Sequence, residues 1–481
     1  MYTNALLTDL YQLTMMQGLY FEGKHNQACV FDRYYRHNPF NGGYTVVAGL
    51  EHLIDYVKNI HFSDDDLAYL KSTGIFEDTF LDYLKRFHFT GSIYAMPEGT
   101  VAFPQEVLLR VETTKDESLL LETCMSMIMN HESLIATKAR RVRCVAGDDT
   151  LMEFGLRRAQ GASAGVYGAR SAMIGGFNGT SNMLSGAKFG MPVMGTMAHS
   201  WVMSFPTELE AFRTYAKHYP NSLILLADTY NTLKQGVPDA ITVFREMKEA
   251  GTLPSFYGIR LDSGDLAYLS KEAHKMFAAA GFPDAVIAAS NDLDENLIAE
   301  LKLQGCAISS WGVGTNLITA KDSPSMGGVF KMAGQYEGDK FIPKIKMSDN
   351  AEKISNPGRK NVLRIYDKTT GKMKADIIIL EGETIDPSKD LRLSSDKTPW
   401  RSRIIPAGSF TVRTMLQPVK GELVYTPPTL KDIMAYADQE IDTLWPEYKR
   451  LVNPETMWVQ RSTRLSELRH QILTEEAAHF Q

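Results

Sequence analysis

Cysteine is scarce. The 481 residues hold four, Cys29, Cys124, Cys144 and Cys306, far apart and without CxxC or Cys/His ligand spacing. That argues against a disulfide scaffold or a zinc site and for free thiols in a reducing compartment. Long apolar runs are missing as well, and none reaches the length that spans a bilayer. The stretch MYTNALLTDLYQLTMMQG has neither the basic start nor the unbroken apolar block of a secretory signal. A cytoplasmic protein with no membrane partner is the expectation. One-sided charge is lacking too: 51 Lys and Arg stand interspersed with 57 Asp and Glu, for a net charge of −6. This gives no electrostatic footprint for nucleic acid, although a local basic cluster can still hold a small anion. No GxGxxG follows an early strand, which weakens a dinucleotide-fold reading, and there is no fixed-period repeat or low-complexity linker.

What is present is the composition of a folded globular protein, 44% hydrophobic and 22% charged. The length exceeds one ordinary core and predicts two or three packed units. TDLYQLTMMQGLY reads as a helix capped by Thr8 or Asp9, with Leu10, Leu13, Met15 and Met16 recurring at helical spacing. NQACVFDRYYR reads as a strand, NPFNGGYTVVAGLEHLIDYV as turn, short strand and helix, and GSIYAMPEGTVAFPQEVLLRVE as short strands broken at Pro97 and Pro104. Residues 1–120 are therefore expected to form an α+β domain, completed by residues from 335–400.

A different rhythm occupies residues 121–335. NSLILLADTYNT, SFYGIRLDSGDL, DAVIAASNDLDE and GCAISSWGVGT are apolar runs that each end in polar residues, with helical spacers such as LAYLSKEAHKMFAAAG between them. Such spacing predicts βα units and a parallel sheet covered on both faces. Four successive polar tips favour a barrel-like sheet, whose site is built at the C-terminal strand ends, over an open sheet with one switch point. Over 360–481, NVLRIYDKTTGKMKADIIIL reads as a hairpin and GSFTVRTMLQPVKGELVY as another strand pair. STRLSELRHQIL reads as a helix with Leu465, Leu468 and Ile472 on one face.

Several constellations could carry chemistry. In GIRLDSGDL, Arg260, Asp262 and Asp265 could meet an anion, a sugar diol or Mg²⁺, or could simply be an ion pair at a barrel mouth. In WGVGT, Gly312, Gly314 and Thr315 could let backbone N–H groups approach a phosphate, or form only a turn. Ser290, Asn291 and Asp292 could hold the same ligand, although helix capping is the commoner use of such residues. Arg157 and Arg158 in EFGLRRAQG, with the small polar residues of GGFNGTSN after them, suit an anion. In GTMAHSWVMSF, His199 has no metal-ligand neighbour at useful spacing. Pattern favours an interior histidine and leaves open a base or phosphoryl acceptor.

Taken together, TDLYQLTM, FNGGYTVVAGL, EFGLRRAQG, GGFNGTSN, GTMAHSWVMSF, LLADTYNT, GIRLDSGDL, SNDLDE, WGVGT and PKIKMSDNAEKISNPGRK resemble the nicotinate phosphoribosyltransferase family over roughly residues 8–360. The tail looks like the C-terminal extension of longer members. The resemblance implies a type II phosphoribosyltransferase fold, an irregular α/β barrel packed on an α+β domain, often as a homodimer. It also implies synthesis of nicotinate mononucleotide from nicotinate and 5-phosphoribosyl 1-pyrophosphate, coupled to ATP hydrolysis, with Mg²⁺, in NAD salvage.

On matching motif positions, the resemblance makes His199 the residue that ATP phosphorylates. Tyr11, Arg260, Arg157 or Arg158 and Ser200 become nicotinate contacts. Asp9, Asp228, Asp265, Ser290, Asn291, Gly312, Gly314 and Thr315 become phosphoribosyl or phosphate contacts. Arg260 and Asp262 are implied to be catalytic with His199, and Mg²⁺ to be held mainly through pyrophosphate, with Asp262 and Asp265 as further ligands. Rival readings are a nicotinamide-specific transferase, a quinolinate enzyme, a non-catalytic sensor of phosphoribosyl pyrophosphate, and a barrel hydrolase using His199 as base.

Overall fold

The computed structural model describes residues 4–394, 400–420 and 426–478. The chain divides into one unit of Met1–Thr137 with Ser325–Gln481 and a second of Lys138–Pro324.

The first unit is built on a six-stranded antiparallel sheet in the order Lys340–Pro343, Gly328–Glu337, Ala28–Tyr35, Leu109–Thr114, Ser92–Ala95, Gln417–Lys420. Ala28–Tyr35 is buried at every position but the first, as expected of a central strand covered on both faces. The expected helix is Leu10–Phe21, but Asp9 does not cap it by side chain. Its Oδ2 accepts from Thr123 Oγ1 at 2.9 Å instead. Leu13 and Met16 are buried, whereas Leu10 and Met15 lie exposed, so the apolar stripe is narrower than the sequence suggests.

The expected tail hairpin pairs Lys360–Asp367 with Met373–Leu380, Ile365 lying opposite Ala375. The second expected strand pair is not a pair. Phe410–Thr414 joins Lys360–Asp367, while Gln417–Lys420 joins Ser92–Ala95 in the large sheet. The two residues between these strands, Met415 and Leu416, are both buried, so the chain crosses from one sheet to the other through core rather than through a turn. Residues 421–425 of that stretch lie outside the described residues. The last helix, Thr463–Ala478, buries Leu465, with Leu468 and Ile472 half-buried on the same face.

In the second unit the parallel strands are β1 (Thr150–Glu153), β2 (Gly179–Thr180), β3 (Leu223–Leu226), β4 (Tyr257–Leu261), β5 (Val286–Ala289) and β6 (Ser310–Val313). Their order is β2-β1-β6-β5-β4-β3. The last strand returns beside the first, the mark of a barrel, but β2 and β3 do not pair. The sheet is thus a curled, incompletely closed barrel. Its helices include α1 (Ala162–Ile174), α2 (His199–Met203), α3 (Glu208–His218), α4 (Val237–Glu249), α5 (Leu266–Ala279) and α6 (Glu295–Leu303). α4 shows why they cover the sheet: Val237, Ala240, Ile241, Val243, Phe244 and Met247 repeat on one face and are buried. Phe244 meets Tyr257, Phe277 and Phe282 at ring distances of 4.9, 5.8 and 5.9 Å.

All four cysteines are free thiols; Cys29 and Cys124 are buried, and burial pushes the Cys29 thiol up to about 11. Among the described residues no helix is long and apolar enough to cross a membrane.

Candidate functional site

The strand register sets the site. Leu226 of β3, Arg260 of β4 and Ala288 of β5 lie side by side, and Ala288 faces Ser310 of β6. Two residues further along each chain, one row at the C-terminal ends therefore holds Asp228, Asp262, Ser290 and Gly312. Four polar tips that are far apart in sequence thus become neighbours, because parallel strands in register end on the same side.

Hydrogen bonds fix this row. Asp228 Oδ2 accepts from the Asp262 backbone N–H at 2.8 Å and from Ser263 Oγ at 2.7 Å. Ser290 Oγ donates to Asp262 Oδ1. Asp262 Oδ2 has no hydrogen-bond partner among the described residues and lies 3.8 Å from His199 Nε2. On the other side of its ring, His199 Nδ1 pairs with Thr229 Oγ1 at 3.0 Å. The imidazole is 40% exposed, so it is neither a buried core residue nor a surface one. It opens α2, whose Val202 is buried and whose Trp201 Nε1 donates to Ala211 O of α3 at 3.1 Å. Met203 is 66% exposed, so the apolar run after the histidine anchors the helix through Trp201 and Val202, not throughout.

Arg260 Nη1 donates to Thr196 Oγ1, while its Nε is buried without a partner among the described residues. Burial lowers its pKa; Asp262 and Asp228 act the other way, and Arg157 adds to the lowering. Arg157 is thus a second cation within electrostatic reach of Arg260, an arrangement that an anion would relieve. Both Arg157 and Arg158 are exposed in the turn Leu156–Arg158, and only Arg157 acts on Arg260 in this way.

Other residues have structural uses. Asp265 caps α5, accepting from Tyr268 N at 2.9 Å. The cap of α6 is Asp294, which accepts from Asn296 N and Leu297 N. Helix capping thus does not explain Ser290, Asn291 or Asp292, and Asn291 and Asp292 take left-handed φ of 85° and 45° at the strand tip. A Cβ on Gly312 would come within 2.5 Å of the Phe154 ring, and one on Gly314 within 3.1 Å of the Phe154 carbonyl. Close packing against Phe154 therefore accounts for Gly312, and makes a side chain at Gly314 tight. Thr315 opens the short helix Thr315–Ile318 beside them. In GGFNGTSN, Thr180 donates to Glu153 at 2.5 Å and Asn182 caps Met183–Phe189. Ser200 is exposed on α2. Asp9 and Tyr11 belong to the first unit, where Tyr11 is 51% exposed.

Three contributors escape sequence reading. Thr229 stands in a quoted tip but carries no distinctive signal. Thr196 is recognisable only once Arg260 is placed against it. Glu153, which ties Gly155 N at 2.5 Å to Thr180, looks from sequence like an ordinary strand-end charge.

Among the described residues no group of three or more His, Cys, Asp and Glu could hold a metal ion. The cluster instead offers one open carboxylate oxygen, an imidazole, a guanidinium and hydroxyls, a donor set suited to a sugar phosphate.

Known proteins agree with this reading of the fold. The nicotinate phosphoribosyltransferase N-terminal domain matches residues 6–130, the nicotinate phosphoribosyltransferase family domain residues 150–353, and the C-terminal domain residues 359–469. A nicotinate phosphoribosyltransferase of Bacillus subtilis is 42% identical over 478 residues, 97% of this chain and 96% of that protein. The crystal structure of human nicotinic acid phosphoribosyltransferase superposes with a TM-score of 0.84 at 28% identity, covering 96% of this chain and 99% of that one. A nicotinate-nucleotide pyrophosphorylase from Pyrococcus furiosus, at 22% identity and TM-score 0.67, shares the fold. The chain belongs to the nicotinate phosphoribosyltransferase family.

Proposed function

We propose that this phosphoribosyltransferase joins nicotinate to 5-phosphoribosyl 1-pyrophosphate with coupled ATP hydrolysis, in NAD salvage. Nicotinate, 5-phosphoribosyl 1-pyrophosphate, ATP and water give nicotinate mononucleotide, pyrophosphate, ADP and phosphate. The observation that carries the reading is the half-exposed His199 ring, set between the Thr229 hydroxyl and the open oxygen of Asp262 at the aligned strand tips.

In the transfer step the nicotinate ring nitrogen bonds to ribose C1 as the bond to pyrophosphate breaks, through a state with positive charge on the sugar. Asp262 stabilises that charge, its orientation fixed by Ser290 and by the backbone bond to Asp228. Arg260 and Arg157 face anionic groups, the nicotinate carboxylate or the leaving pyrophosphate, and Tyr11 is the stacking residue that the family pattern supplies. Mg²⁺ would neutralise charge on pyrophosphate oxygens; the open Asp262 oxygen is the protein ligand best placed for it. Asp265, engaged as a helix cap, fits that role less well.

His199 takes the γ-phosphoryl group of ATP, ADP leaves, and water later cleaves the phosphoimidazole. The added charge and acceptor oxygens would organise the site while the sugar reacts. A homodimer in the cytoplasm completes the reading.

Product formation from nicotinate with and without ATP, together with intact mass after ATP treatment, tests it. ATP should stimulate turnover and add one phosphoryl group that is lost in His199→Asn. A phosphoryl group retained by that variant overturns the phosphohistidine, and preference for nicotinamide overturns the substrate.

A further inference from the structure

One acid in the second unit, Glu208, takes no part in the row of strand-tip residues. Glu208, the first residue of α3, has no exposed surface, and neither of its carboxyl oxygens has a hydrogen-bond partner among the described residues. An ionised carboxylate so placed is costly, which leaves either a neutral acid or a buried cation. No cluster able to hold a metal is present among the described residues.

Its surroundings point toward the site. α3 packs on α2, which carries His199, on β3, which leads to Asp228, and on α4. Asp228 is doubly engaged through Oδ2, whereas its Oδ1 is buried without a partner among the described residues. An acid with no acceptor and a carboxylate oxygen with no donor thus sit on adjacent elements. The charged groups acting on Glu208 are Asp239 of α4 and Asp228; with burial as the larger cause, they push its carboxyl up to about 7. Lys234, on the turn Thr232–Gly236 that also packs on α3, is exposed, and the other nearby cations are engaged elsewhere. Arg213 of α3 pairs with Glu246 at 2.5 Å, Arg260 is held by Thr196, and His199 of α2 faces Thr229 and Asp262.

We propose that Glu208 is a positioning residue for phosphoribosyl transfer: as a neutral acid it supplies the proton that Asp228 Oδ1 lacks, directly or through one buried water, and so holds the Asp262–Ser263 turn in place. When Glu208 ionises, the pair becomes repulsive and the turn loosens.

The kinetic part of the test rests on the transferase reading; the spectroscopic part does not. On the full chain, KM for 5-phosphoribosyl 1-pyrophosphate should rise roughly tenfold from about pH 6 to about pH 9, with a smaller change in kcat. Glu208→Gln, which donates but does not titrate, should flatten that rise, and Glu208→Leu should show high KM throughout. A rise that persists in Glu208→Gln, or a Gln variant that behaves like Leu, overturns the proposal. Infrared difference spectra over the same pH range should show a protonated carboxyl band lost on raising pH and missing in Glu208→Gln. Absence of that band in the wild type overturns the proposal whatever the substrate. If nicotinate is not turned over, the transferase reading fails and the infrared result alone decides.

Discussion

Arg364 in the first unit and Arg260 in the second are both cations withdrawn from water, yet their surroundings differ. Arg364 is wholly buried and its guanidinium is saturated. Asp376 takes three contacts at 2.7, 2.9 and 3.1 Å, Glu440 one at 2.9 Å, and Glu106 stands 3.8 Å away. Burial and the adjacent Asp376 raise the Glu106 carboxyl well above the usual range, so even the surplus acid is accommodated as a neutral group. Among the described residues Arg260 has one hydroxyl partner, a buried Nε with none, and a second cation, Arg157, acting on it. A closed network of this kind belongs to the fold; an open one at aligned strand tips is built for a ligand.

Replacement of each arginine by methionine separates the two cases. Arg364→Met should lose about 3–5 kcal/mol of stability in urea unfolding, because it strands buried carboxylates. Loss below about 1 kcal/mol would show that the network is not closed. Arg260→Met should change stability by less than about 1 kcal/mol while nicotinate kcat/KM falls about 10²–10³-fold. The reverse pattern would erase the distinction.

Half of this contrast was legible in the sequence. The apolar runs with polar ends predict parallel strands and place Asp228, Asp262 and Ser290 at their tips, because strand burial and polarity are local properties. Which tip residue is open and which is consumed was not legible, because that depends on partners distant in sequence. Asp265 and Asp294 look alike as acids after strands, and both prove to be caps. Ser290 and Asn291 look like caps and are not. The crossing of the tail between two sheets was hidden for the same reason: Phe410–Thr414 and Gln417–Lys420 have the alternation of a pair but find different partners. The helix Lys115–Ala146 runs through the division at Thr137, so no compositional break marks it.

Glu106 and Glu208 extend the comparison, since burial raises both acids, but Glu106 stands beside Asp376 and Arg364 whereas Glu208 has no hydrogen-bond partner among the described residues. Its folded pKa of about 7 exceeds an unfolded value near 4.3, so the folded state binds the proton more tightly. The stability this confers is full below about pH 4.3 and is lost as pH rises through about 7. Against Glu208→Gln, which does not titrate, the wild type should therefore lose about 3–4 kcal/mol between those limits. Paired thermal melts check this, and parallel pH profiles would mean that Glu208 is ionised throughout.

The smallest effect concerns Asp265, where a helix cap and a ligand carboxylate make different demands on one side chain. A cap needs only an acceptor oxygen for the N–H of Tyr268, which asparagine supplies as well as aspartate does. A phosphoribosyl or Mg²⁺ ligand needs the negative charge, which asparagine lacks. Asp265→Asn should therefore keep stability within about 0.5 kcal/mol and kcat/KM within about threefold, whereas Asp265→Ala should lose about 1 kcal/mol. A drop of about 100-fold in kcat/KM for Asp265→Asn with unchanged melting would assign the charge to the ligand. Asp265 would then join Asp262 in the open network, and the division drawn from Arg364 and Arg260 would have to admit a residue that serves the fold and the ligand with the same carboxylate.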